Sequence, residues 1–120
     1  MKFSDLGLPI PVPGETISKQ IYLPNLNAGL AYDLDTYAAF AYTINELYQI
    51  QTSSGTVTAA VKINGTAVTG MSSISVSSTA QNVAASGANT VSVGDRVQLV
   101  FSSNSGATNI LGTLAATRTS

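Results

Sequence analysis

The side chains that most often do chemistry in proteins are scarce in this sequence. It contains no His and no Cys, and Asp and Glu together number six. Without an imidazole or a thiolate, the usual general bases and sulfur nucleophiles are missing. A zinc site would have to be built from carboxylates alone, which zinc proteins rarely use. We therefore expect a chain that is not an enzyme, with no catalytic residue, no cofactor and no metal site.

Asp33 and Asp35 are the carboxylates whose spacing suggests a site. Residues i and i+2 of a strand share a face and lie about 7 Å apart. A glycoside hydrolase needs two carboxylates facing each other in a cleft, and Ca²⁺ accepts several carboxylate oxygens. A solvated strand face or turn explains the pair more simply, with weak Ca²⁺ binding as the alternative. Gly94-Asp95-Arg96 is in turn typical of a turn between two strands.

The aromatic residues suggest a second kind of site. All five tyrosines precede residue 50, mixed with Leu and Ile: Tyr22, Tyr32, Tyr37, Tyr42 and Tyr48. This mixture favours packing in a core or an interface. The alternative is a platform on which sugar rings stack, completed by loops at 52–55 and 102–109, so a glycan receptor is also considered as a partner.

Charge narrows the classes of partner. Charged residues make up 9% of the chain and the net charge is −1, against about 25% charged residues in ordinary domains. A nucleic-acid-binding protein needs a basic stripe, so nucleic acid is not expected. Since no apolar run reaches the ~18 residues that span a bilayer, a membrane is not expected either. A surface rich in Ser, Thr, Asn and Gln loses few hydrated ions when a subunit interface covers it.

The hydrophobic pattern predicts strands. TVTAAVKI alternates Val57, Ala59, Val61 and Ile63 on one face, and the Asn64-Gly65 pair that follows is a strong signal for a type I′ hairpin. Further predicted inward residues are Ile74, Val76, Val91, Val93, Val97, Leu99, Phe101, Ile110 and Leu114. ISKQIYL, before Pro24, reads as a short strand, and the ambiguous stretch from Tyr37 to Tyr42 fits a strand better than a helix.

The first residues differ from the rest. Pro9, Pro11 and Pro13 each fix their own φ and push the preceding residue towards an extended backbone, so this stretch cannot be a helix. We predict an arm that docks on another subunit or on a larger assembly; the alternative is a first strand packed on its own domain. The predicted partner-binding residues are the apolar side chains of the arm: Phe3, Leu6, Leu8, Ile10 and Val12.

Short strands with turn signals every 8–12 residues predict an all-β fold. We expect an antiparallel β-sandwich, of the jelly-roll or immunoglobulin-like kind, over residues 29–120. The extended N-terminal arm is expected over residues 1–28. A core of this size is small, and oligomerisation would add buried surface.

Three elements of the chain carry a resemblance to a known family. They are the Lys62-Ile63-Asn64-Gly65-Thr66 hairpin, the Val93-Gly94-Asp95 turn before an alternating strand, and the loop from Ser102 to Gly106. Over about residues 40–118 the pattern resembles a β-sandwich module of tailed-bacteriophage virion proteins, which include tail fibres, head fibres and capsid decoration proteins. The resemblance implies a structural role and a homotrimer, and it brings no catalytic residue.

These observations together predict a bacteriophage virion structural protein. We expect a capsid decoration (cement) protein or a head-fibre protein, anchored through its N-terminal arm to major capsid or tail proteins. Because the sequence starts at Met1 with the arm itself, a small accessory protein of the virion is expected. Its expected location is the virion, assembled in the host cytoplasm. The alternatives are a tail-fibre component and a carbohydrate-binding module; a hydrolase is the least favoured.

Overall fold

The structure, a computed structural model, describes residues 14–24 and 31–119. All regular elements in these ranges are strands, so the predicted all-β fold is confirmed. No helix in the described ranges has the length and apolar character needed to cross a membrane. The ten strands are β1 Thr16–Leu23, β2 Ala31–Asp35, β3 Tyr42–Thr52, β4 Thr56–Ile63, β5 Thr66–Ala67, β6 Ile74–Val76, β7 Gln81–Ala84, β8 Thr90–Val91, β9 Val97–Ser105 and β10 Ile110–Arg118.

The strands form two antiparallel sheets that pack face to face. Sheet A has the order β1-β10-β3-β7, with β8 also paired to β3. Sheet B has the order β2-β9-β4-β5, with β6 also paired to β4. Each sheet mixes strands from distant parts of the sequence, since β10 lies between β1 and β3. The predicted antiparallel β-sandwich is therefore the fold of the described residues.

The core lies between the inner faces of the two sheets. Alternate residues of the long strands point into it, as a half-buried strand requires. Its largest fully buried side chains are Tyr42, Phe101, Ile21, Ile44, Leu47, Ile50, Met71, Leu99, Ile110, Leu114, Val61 and Val68. Ile74 and Val76 of β6 are buried as predicted, as are Ile110 and Leu114 of β10.

The hairpin after β4 follows the sequence prediction closely. Ile63 pairs with Thr66, which leaves Asn64 and Gly65 as a two-residue turn. Their φ angles are 50° and 86°, and a type I′ turn requires positive φ at both positions. The predicted inner face of β4 is also confirmed, since Val57, Ala59, Val61 and Ile63 are all buried; Ala60, on the other face, is buried as well.

Part of the predicted arm is a strand of the sandwich. Within residues 1–28, Thr16–Leu23 forms β1 and pairs with β10 along its whole length. Ile21 and Leu23 of this strand point inward and are buried. Detaching β1 would expose both side chains and leave one side of β10 unpaired. Residues 1–13 lie outside the described residues, and so does the expected boundary at 28/29.

The loop predicted from Ser102 to Gly106 is wrong, because Ser102 to Ser105 belong to β9 and pair with β4. Two further local predictions are wrong, for one topological reason. The stretch from Tyr37 to Ala41 is irregular rather than a strand, because here the chain passes from β2 in sheet B to β3 in sheet A. Val93, predicted to face inward with Val91, is 57% exposed. It lies where the chain crosses from β8 in sheet A to β9 in sheet B. Alternation of inward and outward side chains holds only within a continuous strand.

Candidate functional site

The predicted partner-binding residues, Phe3, Leu6, Leu8, Ile10 and Val12, lie outside the described residues. The structure does show where the chain that follows them enters the sandwich. The N–H of Gly14 donates to the carbonyl of Arg118 at 2.6 Å, and the N–H of Arg118 donates to the carbonyl of Glu15 at 2.9 Å. The arm is thus joined to the sandwich beside the end of β10, directly before β1. Among the described strands, β1 has a neighbour on one side alone, so it forms an edge of sheet A.

The outer face of sheet A carries three exposed apolar side chains. Tyr22 pairs with Leu111, and Leu111 pairs with Gln51. Tyr22 is 61% exposed, Leu111 41% and Tyr48 39%. Residues directly opposite each other on paired strands point to the same face. Tyr22, Leu111 and Gln51 therefore form one row of outward side chains across β1, β10 and β3.

A second outward row lies beside the first. It consists of Gln20, Thr113 and Tyr48, joined by the register of β1 with β10 and of β10 with β3. The register of β3 with β10 shifts between Leu111 and Thr113. The step of two residues from Leu111 to Thr113 on β10 is matched by a step of three residues from Gln51 to Tyr48 on β3, which is a β-bulge. At this bulge Gln49 adopts a φ of 53°, and its N–H donates to Oδ1 of Asn82 on β7 at 3.0 Å. The bulge leaves both Tyr48 and Gln49 exposed. We call the two rows, Tyr22, Leu111, Gln51, Gln20, Thr113 and Tyr48, the sheet A platform.

The outer face of sheet A is nearly free of charge. The strands of this sheet contain Lys19, Glu46 and Arg118 as their charged residues. Lys19 pairs with Leu114, and Arg118 with Tyr42. Both partners are buried, so these two cations lie on the inner face. Glu46, paired with Ala115 and Ala84, is the charged residue that these strands place on the outer face.

The carboxylates of Asp33 and Asp35 are bound to different cations. Arg96 contacts Asp33 with two nitrogens, Nε to Oδ1 at 2.8 Å and Nη2 to Oδ2 at 2.9 Å. This hydrogen bonding by the Arg96 guanidinium lowers the pKa of Asp33. A register shift between Asp33 and Asp35 turns the second carboxylate elsewhere, where it lies 3.6 Å from Nζ of Lys19. In the described part of the chain, His, Cys, Asp and Glu side chains form no group of three that could hold a metal ion.

The Gly94-Asp95-Arg96 turn is hydrogen-bonded to Asn64 at the tip of the β4–β5 hairpin. Asn64 donates from Nδ2 to Oδ1 of Asp95 at 2.9 Å and accepts the N–H of Arg96 at 2.9 Å. The other carboxylate oxygen of Asp95 accepts the N–H of Ser92 at 2.8 Å. The Ser92 N–H, and after it the Asn64 amide, lowers the pKa of Asp95. The turn that the sequence predicts is thus a structural joint between two loops.

The five tyrosines do not form one surface. Tyr42 is a core residue, 1% exposed, and burial is the main reason why its pKa is raised. Tyr32 pairs with the buried Leu99 and packs against the core. Tyr37 is exposed, but its ring lies over Gly94 at the turn. Only Tyr22 and Tyr48 share a face, with Leu111 and Thr113 of β10 between them. The alternation in ILGTLAATR marks these β10 residues as a strand, but not which strands flank them.

The comparisons with known proteins yield a likeness of fold. No family model matches the sequence, and no curated protein matches it. Among solved structures, the chain is similar to one in the structure of infectious bursal disease virus, Gx strain, with a TM-score of 0.47 and 18% identity. The match covers 86% of this chain and 31% of that chain, so this chain spans about a third of its length. A likeness at this level carries no argument about function.

Proposed function

We propose that the chain is a structural protein of a bacteriophage virion, a capsid decoration (cement) or head-fibre protein anchored through its N-terminal arm. The family resemblance of residues 40–118 suggests this role. Its partners are then major capsid or tail proteins, and the module is a homotrimer. The apolar residues of the arm, Phe3 to Val12, make the contacts with the particle.

The observation that carries the proposal is the junction between the arm and an edge strand. Gly14 and Glu15 are held to Arg118 by two backbone hydrogen bonds. The chain is therefore bound to the sandwich from Gly14 onward, directly after residues 1–13. The next element, β1, lies at the edge of sheet A rather than within it. An extended segment leaving at an edge is free to add a strand to the sheet of a neighbouring protein.

The outer face of sheet A carries little charge. It combines three exposed apolar residues, Tyr22, Leu111 and Tyr48, with mostly uncharged polar neighbours. Covering such a face removes few ions from water, so the desolvation penalty that charged surfaces meet is small. Burial of a face with many charged residues would cost more, because each charge would lose its hydration.

Deletion of residues 1–13 tests the proposal. The truncated chain keeps every described residue from Gly14 onward, so we expect an unchanged β-rich circular dichroism spectrum. It should fail to bind particles that have been stripped of this protein, as measured by co-sedimentation. Full occupancy by the truncated chain would refute anchoring through the arm.

A full-length variant separates loss of contacts from loss of length. Phe3→Ser, Leu6→Ser, Leu8→Ser, Ile10→Ser and Val12→Ser together keep the three prolines but remove the five apolar side chains. This variant should also fail to co-sediment. The control is Tyr37→Ser, which changes an exposed side chain in the loop beside Gly94 and leaves the arm intact. It should bind as the native chain does.

Light scattering and electron microscopy test the finer parts. The proposal expects the molar mass of three chains in solution, and a stable monomer would contradict the trimer. Gold-labelled antibody against residues 31–119 should decorate the capsid. Label on the tail alone would favour the tail-fibre alternative.

A further inference from the structure

Two exposed tyrosines lie on the outer face of sheet A, with Leu111 and Thr113 of β10 between them. Tyr22 is in the first row of the sheet A platform and Tyr48 in the second, and β10 lies between their strands. Strands about 4.8 Å apart, with a rise of about 3.3 Å per residue, place the two Cα atoms roughly 12 Å apart. This separation is of the order of two linked sugar rings.

Hydrogen-bonding groups lie between and beside the two rings. Gln20 lies two residues before Tyr22 on β1, Gln51 pairs with Leu111, and Thr113 pairs with Tyr48. Side-chain hydrogen bonds among the described residues engage none of Gln20, Gln51 and Thr113, whereas the nearby Gln49 amide is held by Asn82 at 3.3 Å. Amide and hydroxyl groups can both donate to and accept from the hydroxyls of a sugar.

The charge of the face selects among ligands. Glu46, next to the platform on β3, is the one charged residue that the described strands of sheet A place on this outer face. A carboxylate repels an acidic polysaccharide, and no cation of these strands faces outward to bind one. A neutral polysaccharide meets neither obstacle.

We infer that the sheet A platform binds a neutral polysaccharide, whose sugar rings stack on Tyr22 and Tyr48 while its hydroxyls bond to Gln20, Gln51 and Thr113. The area of the patch favours this ligand over a second copy of the chain. The exposed parts of the two tyrosines together amount to about one whole tyrosine, roughly 200 Å², and Leu111 adds less than half of one side chain. A stable protein interface needs about 800 Å² from each partner, more than half of it apolar. The platform would bind such a polymer whether or not the chain belongs to a virion.

Affinity electrophoresis tests the site with named probes. The full-length chain is run through native gels that contain hydroxyethylcellulose, laminarin, galactomannan or, as an acidic polymer, alginate. We expect at least one neutral polymer to retard the chain and alginate not to do so. Tyr22→Ala and Tyr48→Ala should each weaken the retarding interaction about tenfold or more, the loss expected for one stacked ring.

Tyr37→Ala is the matched control, because it removes a tyrosine that is 67% exposed but lies away from the platform. It should migrate as the native chain does in every gel. Absence of retardation by all three neutral polymers, retardation by alginate alone, or an equal loss in Tyr37→Ala would overturn the inference. So would sedimentation velocity showing that Tyr22→Ala dissociates a native oligomer, because the face would then be a protein interface.

Thermal unfolding shows whether the Tyr22→Ala and Tyr48→Ala variants are folded. Both side chains are partly exposed, Tyr22 on a regular strand and Tyr48 at the bulge of β3, so melting temperatures close to the native value are expected. If either alanine variant unfolds, Gln20→Ala and Thr113→Ala take the place of the tyrosine variants, and both should also weaken retardation. Unchanged retardation in those two variants would overturn the assigned hydrogen bonds.

Discussion

Nζ of Lys19 lies 3.6 Å from Oδ2 of Asp35 and so joins the edge strands of the two sheets. Lys19 is on β1 in sheet A, and Asp35 ends β2 in sheet B. The hydroxyl of Tyr42 donates to the same carboxylate oxygen at 3.1 Å, and Nζ of Lys19 is 5.8 Å from the centre of the Tyr42 ring. One carboxylate of sheet B therefore forms an ion pair with a cation and accepts a hydrogen bond from a buried phenol, both of sheet A.

This contact bears on how the edge of sheet A is used. A charged side chain that points inward on an edge strand opposes the addition of a further strand. Lys19 occupies such a position on β1, since its partner Leu114 is buried. In the proposed assembly the extended strand is accordingly donated by the arm to a neighbour, and β1 does not accept one.

A double-mutant cycle measures the Tyr42–Asp35 hydrogen bond. Tyr42→Phe removes the hydroxyl and should lower the free energy of unfolding by about 1 kcal/mol. Asp35→Ala should cost about 2 kcal/mol, because it leaves the buried hydroxyl without its acceptor and Lys19 without its anion. The double variant should lose about 1 kcal/mol less than the sum, measured by urea unfolding. Strict additivity would show that the two groups do not interact, and Tyr37→Phe, on an exposed ring, should change nothing.

The ion pair of Asp33 with Arg96 predicts acid sensitivity. The pKa of Asp33 is lowered by its hydrogen bond from Arg96, and that of Asp95 by the N–H of Ser92 and the amide of Asn64. A carboxylate with a lowered pKa in the folded state stabilises the fold above the unfolded pKa of about 3.9. This stabilisation is lost as pH falls through the lower folded pKa. The melting temperature should therefore decline on acidification below about pH 4.

Carbon-detected NMR titration assigns this effect to its residues. Both carboxyl groups should titrate below the ordinary value of 3.8. In Arg96→Met the pKa of Asp33 should rise, since its main hydrogen-bond donor is gone. The pKa of Asp95 is the internal control and should stay low, because Ser92 and Asn64 are untouched. If the pKa of Asp33 does not change in this variant, the Arg96 guanidinium is not what lowers it.

Gly55 and Gly65 provide a matched pair for testing a close backbone contact. Both have positive φ, 67° and 86°, so alanine meets the same left-handed strain of about 1 kcal/mol at either position. At Gly55 a Cβ atom would also overlap the Ser105 carbonyl and lie 2.6 Å from the carbonyl oxygen of Gly106, whereas at Gly65 nothing lies within 4 Å.

Gly65→Ala should therefore lower the free energy of unfolding by about 1 kcal/mol, and Gly55→Ala by about 3 kcal/mol or more, since backbone must move. Urea unfolding of both variants gives the difference. Equal losses would mean that the turn between β3 and β4 shifts away from β9 at little cost.

Sequence patterns predict those parts of the fold that depend on the residues of a single strand and its turn. The alternation of β4 and the Asn64-Gly65 pair identify a half-buried strand and its turn, because both signals are local. Tyr37 and Val93 show where this fails. Both lie where the chain crosses between sheets, and hydrogen bonds there tie distant loops: the N–H of Ala38 donates to the Asp95 carbonyl at 2.9 Å, and the N–H of Gly94 to the Ala38 carbonyl at 2.8 Å.

The sheet A platform could not be predicted from the sequence for a related reason. Tyr22 and Tyr48 share one face because β10, which begins at Ile110, pairs with both β1 and β3 and so brings them into one sheet. Strand order and register depend on the packing of the whole core, and a shift of one residue would turn Leu111 inward. The sequence shows five tyrosines in one half of the chain, whereas the fold buries Tyr42 and separates Tyr37 from the pair on sheet A.

Ala88 and Ala39 should respond to glycine with opposite signs. Ala88 is exposed and has a φ of 48°, a left-handed conformation that costs an L-residue about 1 kcal/mol and glycine almost nothing. The flanking turn is firmly held, since the N–H of Ile44 donates to the Asn89 carbonyl at 2.9 Å and Asn89 Nδ2 donates to the Ile44 carbonyl at 2.6 Å. These two hydrogen bonds oppose a backbone shift that would relieve the strain.

Ala88→Gly should raise the free energy of unfolding by about 0.5 kcal/mol, because relief of the strain exceeds the added entropy of the unfolded chain. Ala39 is also exposed but is not among the described residues with positive φ. Ala39→Gly therefore relieves no strain and only raises the entropy of the unfolded chain, so it should lower the same free energy by about 0.5–1 kcal/mol. Parallel urea unfolding curves with equal slopes compare the two variants. A loss of stability in both would show that Ala88 bears no strain in the folded protein.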